Sequence, residues 1–406
     1  MPTIIESLRG LDVLKVSSMG TTTIAIDAGG SVIIWGAGGS AGGSISTHAT
    51  LSNVTYGNGL HDHRINIEPQ RVTSLPFAAA VVDVSCGLGH ALFLTRTGCV
   101  WSSGSGGNGR LGVGDTMDSK DPCYLLALNG IFIVSVQCGA SHSLALSSTG
   151  SVYTWGKNTQ GQCGTGHVGE VLLPSLNKAL LSENVIQLAA GWEYSLALTD
   201  KGAVYAWGCG YRDNRRGTVP PVLGLGDNDG RTVPERLRTF DNDNSIDMKS
   251  NLALKLYGIE SELYRVMAIA CGWDHSLALD NRGRVRSWGS GQNGKLGHGN
   301  EDSVPVPAFI TALDGVFIAS IAAGCEHSSA VTDTGGILTW GHGDGKYLII
   351  VLLTVFCFDF CLVYVVEVLI DCLSCTLCYV IIHPLLLICV SVIICTLLPS
   401  FFSSTF

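Results

Sequence analysis

The sequence predicts an all-β protein, a β-propeller of four-stranded blades, and three observations lead there. One motif recurs six times along the chain, it is written in short alternating runs, and its turns are loaded with glycine, 51 in 406 residues. An average chain holds about 7% Gly, and a hydrophobic share of 46% excludes disorder as the source of the excess.

The sharpest copy is CGWDHSLALDNRGRVRSWGSGQNGKLGHG, residues 271 to 299. Its run from Gly289 to Lys295 imitates a phosphate loop, but Leu296 stands where a Ser or Thr must ligate the magnesium of a nucleotide. Recurrence decides against a catalytic loop, which is normally made once per chain, and for a structural unit, which is made many times. Further copies begin at Cys138, Ala190 and Ala323. The histidine position always lies 13 residues before the tryptophan of Trp-Gly: His142 to Trp155, Tyr194 to Trp207, His275 to Trp288, His327 to Trp340. The first unit keeps this register with Thr22 and Trp35. In the second, counting 13 from His90 reaches Ser103, so Trp101 aligns with Tyr153 and Ser103 replaces the tryptophan. Units restart after 68, 52, 52, 81 and 52 residues, and the two long intervals are insertions.

Each unit opens with an apolar alternation ending in Gly (VVDVSCG, IVSVQCG, VIQLAAG, VMAIACG, IASIAAG), then a short apolar run such as HSLALS, a Gly turn, and SVYTWG or its equivalent. Period-2 runs of this length with Gly, Asn and Asp turns read as antiparallel strands. Several strands per unit of about 50 residues are the mark of propeller blades, each burying its faces only against its neighbours.

The combination of Gly-x-x-His-Ser-Leu-Ala-Leu, Trp-Gly and Asn-Gly-x-Leu-Gly resembles the regulator of chromosome condensation repeat family over about residues 11 to 345. The resemblance implies a seven-bladed propeller. The chain supplies about five and a half blades, so the expectation is an incomplete ring, with residues 1–346 as the propeller and 347–406 as an apolar C-terminal tail.

That tail holds no Lys or Arg, three acids (Asp359, Glu367, Asp371) and seven of the 15 cysteines. The stretches Tyr347 to Val366 and Cys372 to Leu398 are long and apolar enough for two transmembrane helices. The alternative is translated non-coding sequence, which the break in the middle of a blade favours, since an unfinished blade exposes a strand edge. The spacing of Cys372, Cys375 and Cys378 lacks the second half that a zinc site needs. Expected localisation is cytoplasmic or nuclear, or membrane where the tail is genuine.

All 24 Lys and Arg lie before residue 347 against 30 Asp and Glu, so general attraction to nucleic acid is not expected. Cys86, Cys138 and Cys271 share one position with Ala190 and Ala323, which reads as small buried residues rather than disulfides. The recurring His90, His142, His275 and His327 read as one structural hydrogen-bonding element per blade, and the tryptophans of Trp-Gly as blade packing. No nucleophile, carboxylate pair or metal cluster recurs at usable spacing, so neither enzyme chemistry nor a cofactor is expected.

The variable pair between Gly and His falls on a turn at one rim: Leu88-Gly89, Ala140-Ser141, Trp192-Glu193, Trp273-Asp274 and Cys325-Glu326. In the family's exchange factor for the GTPase Ran, acids of this turn contact the GTPase. The resemblance therefore makes Glu193, Asp274 and Glu326, with Trp192 and Trp273, the partner-binding candidates, and the acids are expected on one face, mostly accessible to solvent. The family's ultraviolet-B photoreceptor pairs tryptophans of this turn with arginines, and here Glu193 and Asp274 stand instead, which should spoil that arrangement. A second candidate surface is the long insertion with Arg212, Arg215 and Arg216 beside Pro220 and Pro221. The implied function is a protein-interaction propeller, as a guanine-nucleotide exchange factor or regulator for a small GTPase. The alternatives are the substrate-recruiting part of a larger HECT-type ubiquitin ligase and a membrane-anchored scaffold.

Overall fold

The computed structural model describes residues 5–19, 22–36, 66–72, 76, 79–210, 219–241 and 264–342. Within them the chain forms six antiparallel sheets in succession. Blade 1 is β1 (Val13–Met19), β2 (Thr22–Asp27), β3 (Val32–Gly36) and β4 (Asn66–Arg71); blade 2 is β5 (Val81–Cys86), β6 (His90–Thr95), β7 (Val100–Gly104) and β8 (Ser119–Tyr124). Blade 3 is β9 (Ile133–Cys138), β10 (His142–Ser147), β11 (Val152–Gly156) and β12 (Val171–Leu176); blade 4 is β13 (Val185–Ala190), β14 (Tyr194–Thr199), β15 (Val204–Gly208) and β16 (Arg231–Arg236). Blade 5 is β17 (Val266–Cys271), β18 (His275–Asp280), β19 (Val285–Gly289) and β20 (Val304–Phe309), and blade 6 contributes β21 (Ile318–Ala323), β22 (His327–Thr332) and β23 (Ile337–Gly341).

The propeller of four-stranded blades is therefore present, with five four-stranded sheets and one three-stranded sheet among the described residues. The seven blades implied by the resemblance are not reached within them, and the tail expected from residue 347, with its cysteines, lies outside them. No helix among the described residues is long and apolar enough to cross a membrane. Arg212, Arg215 and Arg216 also fall outside.

The core lies between the blades rather than within them. Leu92, Leu94 and Val100 of blade 2 pack on Ile133, Val136 and Trp155 of blade 3, and Leu144, Leu146 and Val152 of blade 3 on Val185, Leu188 and Trp207 of blade 4. The second strand of a blade is buried on both faces, which is why HALFLT and HSLALS read as nearly unbroken apolar runs. Blade 1 shows the rule by exception: Trp35, Ala25 and Ile33 are covered by Ile5, Leu8 and Leu11. That segment repeats the connector of later blades: Leu8 and Gly10 match Leu128 and Gly130, both glycines at φ near 80°.

The register read from sequence holds in the second blade. Ala91 faces Ser103 as Ser143 faces Trp155, and Phe93 faces Trp101 as Ala145 faces Tyr153. Trp101 instead packs on Tyr124, centroids 5.3 Å apart.

Adjacent blades are joined by a repeated polar staple. His90 Nε2 lies 3.0 Å from Ser143 Oγ in the next blade, His142 Nε2 2.9 Å from Ser195 Oγ, and His275 Nε2 2.9 Å from Ser328 Oγ. Each serine hydroxyl donates its one hydrogen back to a main-chain carbonyl of the preceding blade: Ser143 to Arg110, Ser195 to Gln162, Ser328 to Lys295. The serine oxygen must then accept from histidine, so each imidazole is the neutral tautomer with its hydrogen on Nε2. Where Tyr194 replaces histidine the direction reverses, because its hydroxyl donates to the His275 carbonyl at 2.6 Å and accepts from Ser276. The indole N–H groups of Trp155 and Trp207 donate, at 2.9 Å, to the same Arg110 and Gln162 carbonyls. The motif glycine ahead of the histidine leaves room for the ring: a Cβ on Gly139 would lie 2.1 Å from His142 Cε1 and 2.6 Å from the Gly191 carbonyl oxygen.

Burial holds these histidines neutral. Desolvation, with help from Lys157, brings His142 from 6.5 down to about 3, and desolvation first and Arg110 or Lys295 second push His90 and His275 well below the ordinary value. The unfolded chain takes up protons near pH 6.5 that the folded chain refuses until about pH 3 at His142, so this stabilisation is complete above pH 6.5 and drains away as pH falls toward 3. Thermal unfolding should show Tm falling steadily between those limits, and His142→Gln should be less stable at neutral pH with a shallower acid slope. A slope unchanged by the substitution would contradict the neutral staple.

Candidate functional site

The rim turns are tied to one another before any partner arrives. The Leu88 amide donates to the Ala140 carbonyl at 3.1 Å, Ala140 to Trp192 at 3.3 Å, and Trp192 to Trp273 at 3.1 Å, a main-chain ladder running from blade to blade. The carbonyl of the residue before each histidine is held by its own blade: Lys157 N–H donates to Ser141, Cys209 to Glu193, Ser290 to Asp274 and His342 to Glu326. The turns are thus a preorganised surface rather than free loops.

The three candidate acids do lie on these turns, but the expectation that they are mostly accessible fails. Glu193 is only 7% exposed and forms an ion pair with Lys157 of blade 3. Lys295 is 0% exposed and its Nζ is 2.5 Å from Asp274 Oδ1 and 2.7 Å from Glu326 Oε2, with side-chain exposures of 19% for Asp274 and 29% for Glu326. The physical cause is the basic residue that two other motif positions supply: Lys157 directly follows Trp-Gly, and Lys295 is the lysine of Asn-Gly-Lys-Leu-Gly. The false phosphate loop therefore delivers its lysine inward, to carboxylates that neutralise it. In blade 2 Arg110 occupies the same place and donates to the Leu88 carbonyl at 2.8 Å. Burial raises Asp274 above its ordinary value, Lys295 opposes that shift, and the neighbouring Glu326 adds to it.

Trp192 and Trp273 stand next to two of these acids and stack on each other, centroids 4.1 Å apart at 32°. The replacement of arginine by acid has not prevented tryptophan contact, because Glu193 and Asp274 turn toward lysines instead. Ala190, Cys271, Gly272, Ala323, Gly324 and Cys325 line, with the pair, a small cavity of about 40 Å3. Among the described residues no group of three or more His, Cys, Asp or Glu is arranged to hold a metal ion. None of the eight cysteines among them is in a disulfide.

Sequence reasoning named the acids and the tryptophans but missed Lys157, Lys295 and the staple serines. The signal was available: Ser follows the histidine position in Ser143, Ser195, Ser276 and Ser328.

A blade of this motif, stapled through histidine and serine and rimmed by acid–lysine pairs, defines a repeat propeller with a built polar rim. Models of the regulator of chromosome condensation repeat match residues 97–146, 149–198 and 282–331, and a second model of the same repeat matches 81–110, 133–162, 185–217 and 267–295. The chain belongs to the regulator of chromosome condensation repeat family. It is similar to the ultraviolet-B receptor UVR8 of Arabidopsis thaliana, 31% identical over 81% of this chain and 65% of that protein. It is also similar to the E3 ubiquitin-protein ligase HERC2 of Homo sapiens, 32% identical over 85% of this chain but 6% of the ligase. The chain thus spans less than two thirds of either relative. Among solved structures, human WBSCR16 matches with a TM-score of 0.61 at 25% identity, covering 78% of this chain and 71% of that one. Yeast RCC1 (Prp20) shares the fold, with a TM-score of 0.60 at 22% identity over 81% of this chain and 70% of that one.

Replacing Lys295 with Met should leave Asp274 and Glu326 partly buried without their cation. The expected loss is about 2–4 kcal/mol at pH 7, toward the lower end of what breaking a buried ion pair costs because both acids keep some water. The deficit should shrink as pH falls into the acid range, where Asp274, its titration raised by burial, becomes protonated and no longer needs the lysine. A deficit below about 0.5 kcal/mol, constant with pH, would show the clamp to be energetically idle.

Proposed function

We propose that this propeller is a protein-binding platform that regulates a small GTPase through its Gly-x-x-His rim, acting as a guanine-nucleotide exchange factor. The observation that carries the reading is the acid–lysine arrangement on the rim, and above all Glu326. Both Lys295 and Asn293 contact its Oε2, which leaves Oε1 for a basic group of the partner. A preorganised rim suits exchange, which needs no catalytic base and proceeds by stabilising the nucleotide-free GTPase. A structure of yeast Prp20p concerns its binding to Gsp1p and to histones, and that protein shares this fold.

The match to HERC2 favours a second reading, in which the same rim recruits a substrate for a larger HECT-type ligase. The two readings separate in one assay. Purified chain is added to small GTPases loaded with a fluorescent guanine nucleotide. An exchange factor speeds release from one of them by at least about tenfold, binds its nucleotide-free form most tightly, and loses about tenfold in affinity on Glu326→Gln, the scale of a charged interface contact. Release from none of them, or a response indifferent to Glu326→Gln in a variant of native Tm, would overturn the exchange reading.

A further inference from the structure

We propose that the junction between blades 1 and 2 is a hinge, on which blade 1 rocks as a unit against blades that are held stiffly to one another. Each later junction among the described residues carries a side-chain hydrogen bond from the histidine position to a serine of the next blade: His90 to Ser143, His142 to Ser195, Tyr194 to Ser276 and His275 to Ser328. Between blades 1 and 2 every member of that staple is exchanged. Met19 and Thr22 stand where the later blades have the motif glycine and the His or Tyr, and Ala91 and Ser103 stand where blades 3 to 6 have Ser and Trp.

The exchange is toward apolar contact. Phe93 stands at the position of Ala145, Ala197, Ala278 and Ala330, and with Ala91 it joins Ile24, Ile26 and Val84 in the core between the two blades, against which Met19 packs. Ser103 is 1% exposed and its hydroxyl makes no hydrogen bond. What remains is a polar tie along the inner strands. The Cys86 amide donates to Ser17 Oγ at 2.9 Å and the Cys86 thiol to the Ser17 carbonyl at 3.3 Å, while Lys15 pairs with Asp83, whose second oxygen accepts from the Val136 amide of blade 3. The junction of blades 2 and 3 is the internal control. It has the same inner tie, from Cys138 to Ser85 at 2.9 and 3.2 Å, and the staple of His90 and Ser143 besides. Attachments at two separate places fix the angle of a sheet, whereas one line of attachment with undirected apolar contact beyond it permits rotation about that line. Fully bonded polar networks rigidify a core, and small sliding of packed elements is an ordinary mode of conformational change. The hinge therefore falls where the network is missing and the packing is retained.

The test uses the full chain with pairs of spin labels on ketone-bearing amino acids, which leaves its cysteines untouched, and reads distance distributions by pulsed electron paramagnetic resonance. Ala28, Arg96 and Ser148 are equivalent, exposed positions on the turn after the second strand of blades 1, 2 and 3. The distribution between Ala28 and Arg96 should be broader than that between Arg96 and Ser148 by about 2 Å or more, the scale on which packed elements slide. Labels at Leu14 and Ala28, both exposed and both in blade 1, should show no such excess. The double variant His90→Thr, Ser143→Ala brings the second junction to the state of the first. It should broaden the distribution between Arg96 and Ser148 by a similar amount and leave that between Ala28 and Arg96 unchanged. Equal widths across the two junctions of the native chain would overturn the hinge, whether or not the double variant folds. Excess width within blade 1, which means fraying rather than rocking, would also overturn it, as would a folded double variant whose second junction stays narrow.

Discussion

The hydrogen bond from a buried histidine to a serine of the next blade is the constraint on which the rest of this propeller depends. A blade buries apolar side chains only against its neighbours, and hydrophobic contact alone does not fix how one sheet sits on another. The staple does, because the serine oxygen must accept from His90, His142 or His275 while its hydrogen reaches one carbonyl of the previous blade. The tryptophan indoles of blades 3 and 4 use that same carbonyl. Serine and indole thus meet at one carbonyl oxygen while histidine holds the serine, and the angle between blades follows.

The rim inherits its shape from that geometry. His275 ends the turn that carries Trp273 and Asp274, and Tyr194 the turn that carries Trp192 and Glu193, so holding these two rings holds both pairs in place. Lysines from neighbouring motif positions then neutralise the acids, and the surface offered to a partner is a set of held ion pairs around an apolar centre. Such a surface costs little to order on binding, which is the property that a factor stabilising an otherwise unfavourable partner state requires.

Most of the fold was legible in the sequence because the repeat carries its own ruler. The fixed interval from histidine to tryptophan placed Ser103 opposite Ala91 even though Trp101 was the more visible residue. Recurrence also marked the histidines as structural. The site was legible in its address but not in its environment. An acid on a turn reads as solvated, and nothing local to Glu193 or Asp274 reveals that lysines from other motif segments fold over them. The contact between Lys295 and Glu326 joins two blades across 31 residues. It becomes visible only once the Asn-Gly-x-Leu-Gly segment is seen to lie beneath the next blade's turn. The stacking of Trp192 on Trp273 was hidden for the same reason, since it too joins positions from different blades.

The most direct test of the staple is a double-mutant cycle on His142→Phe and Ser195→Ala, with unfolding free energies measured in denaturant at pH 7. If the pair holds blades 3 and 4 together, the two losses should be non-additive, with a coupling of at least about 1 kcal/mol. Losses that add within about 0.3 kcal/mol would show that the histidine and serine stabilise the propeller independently, and the account of how its blades are set would fail.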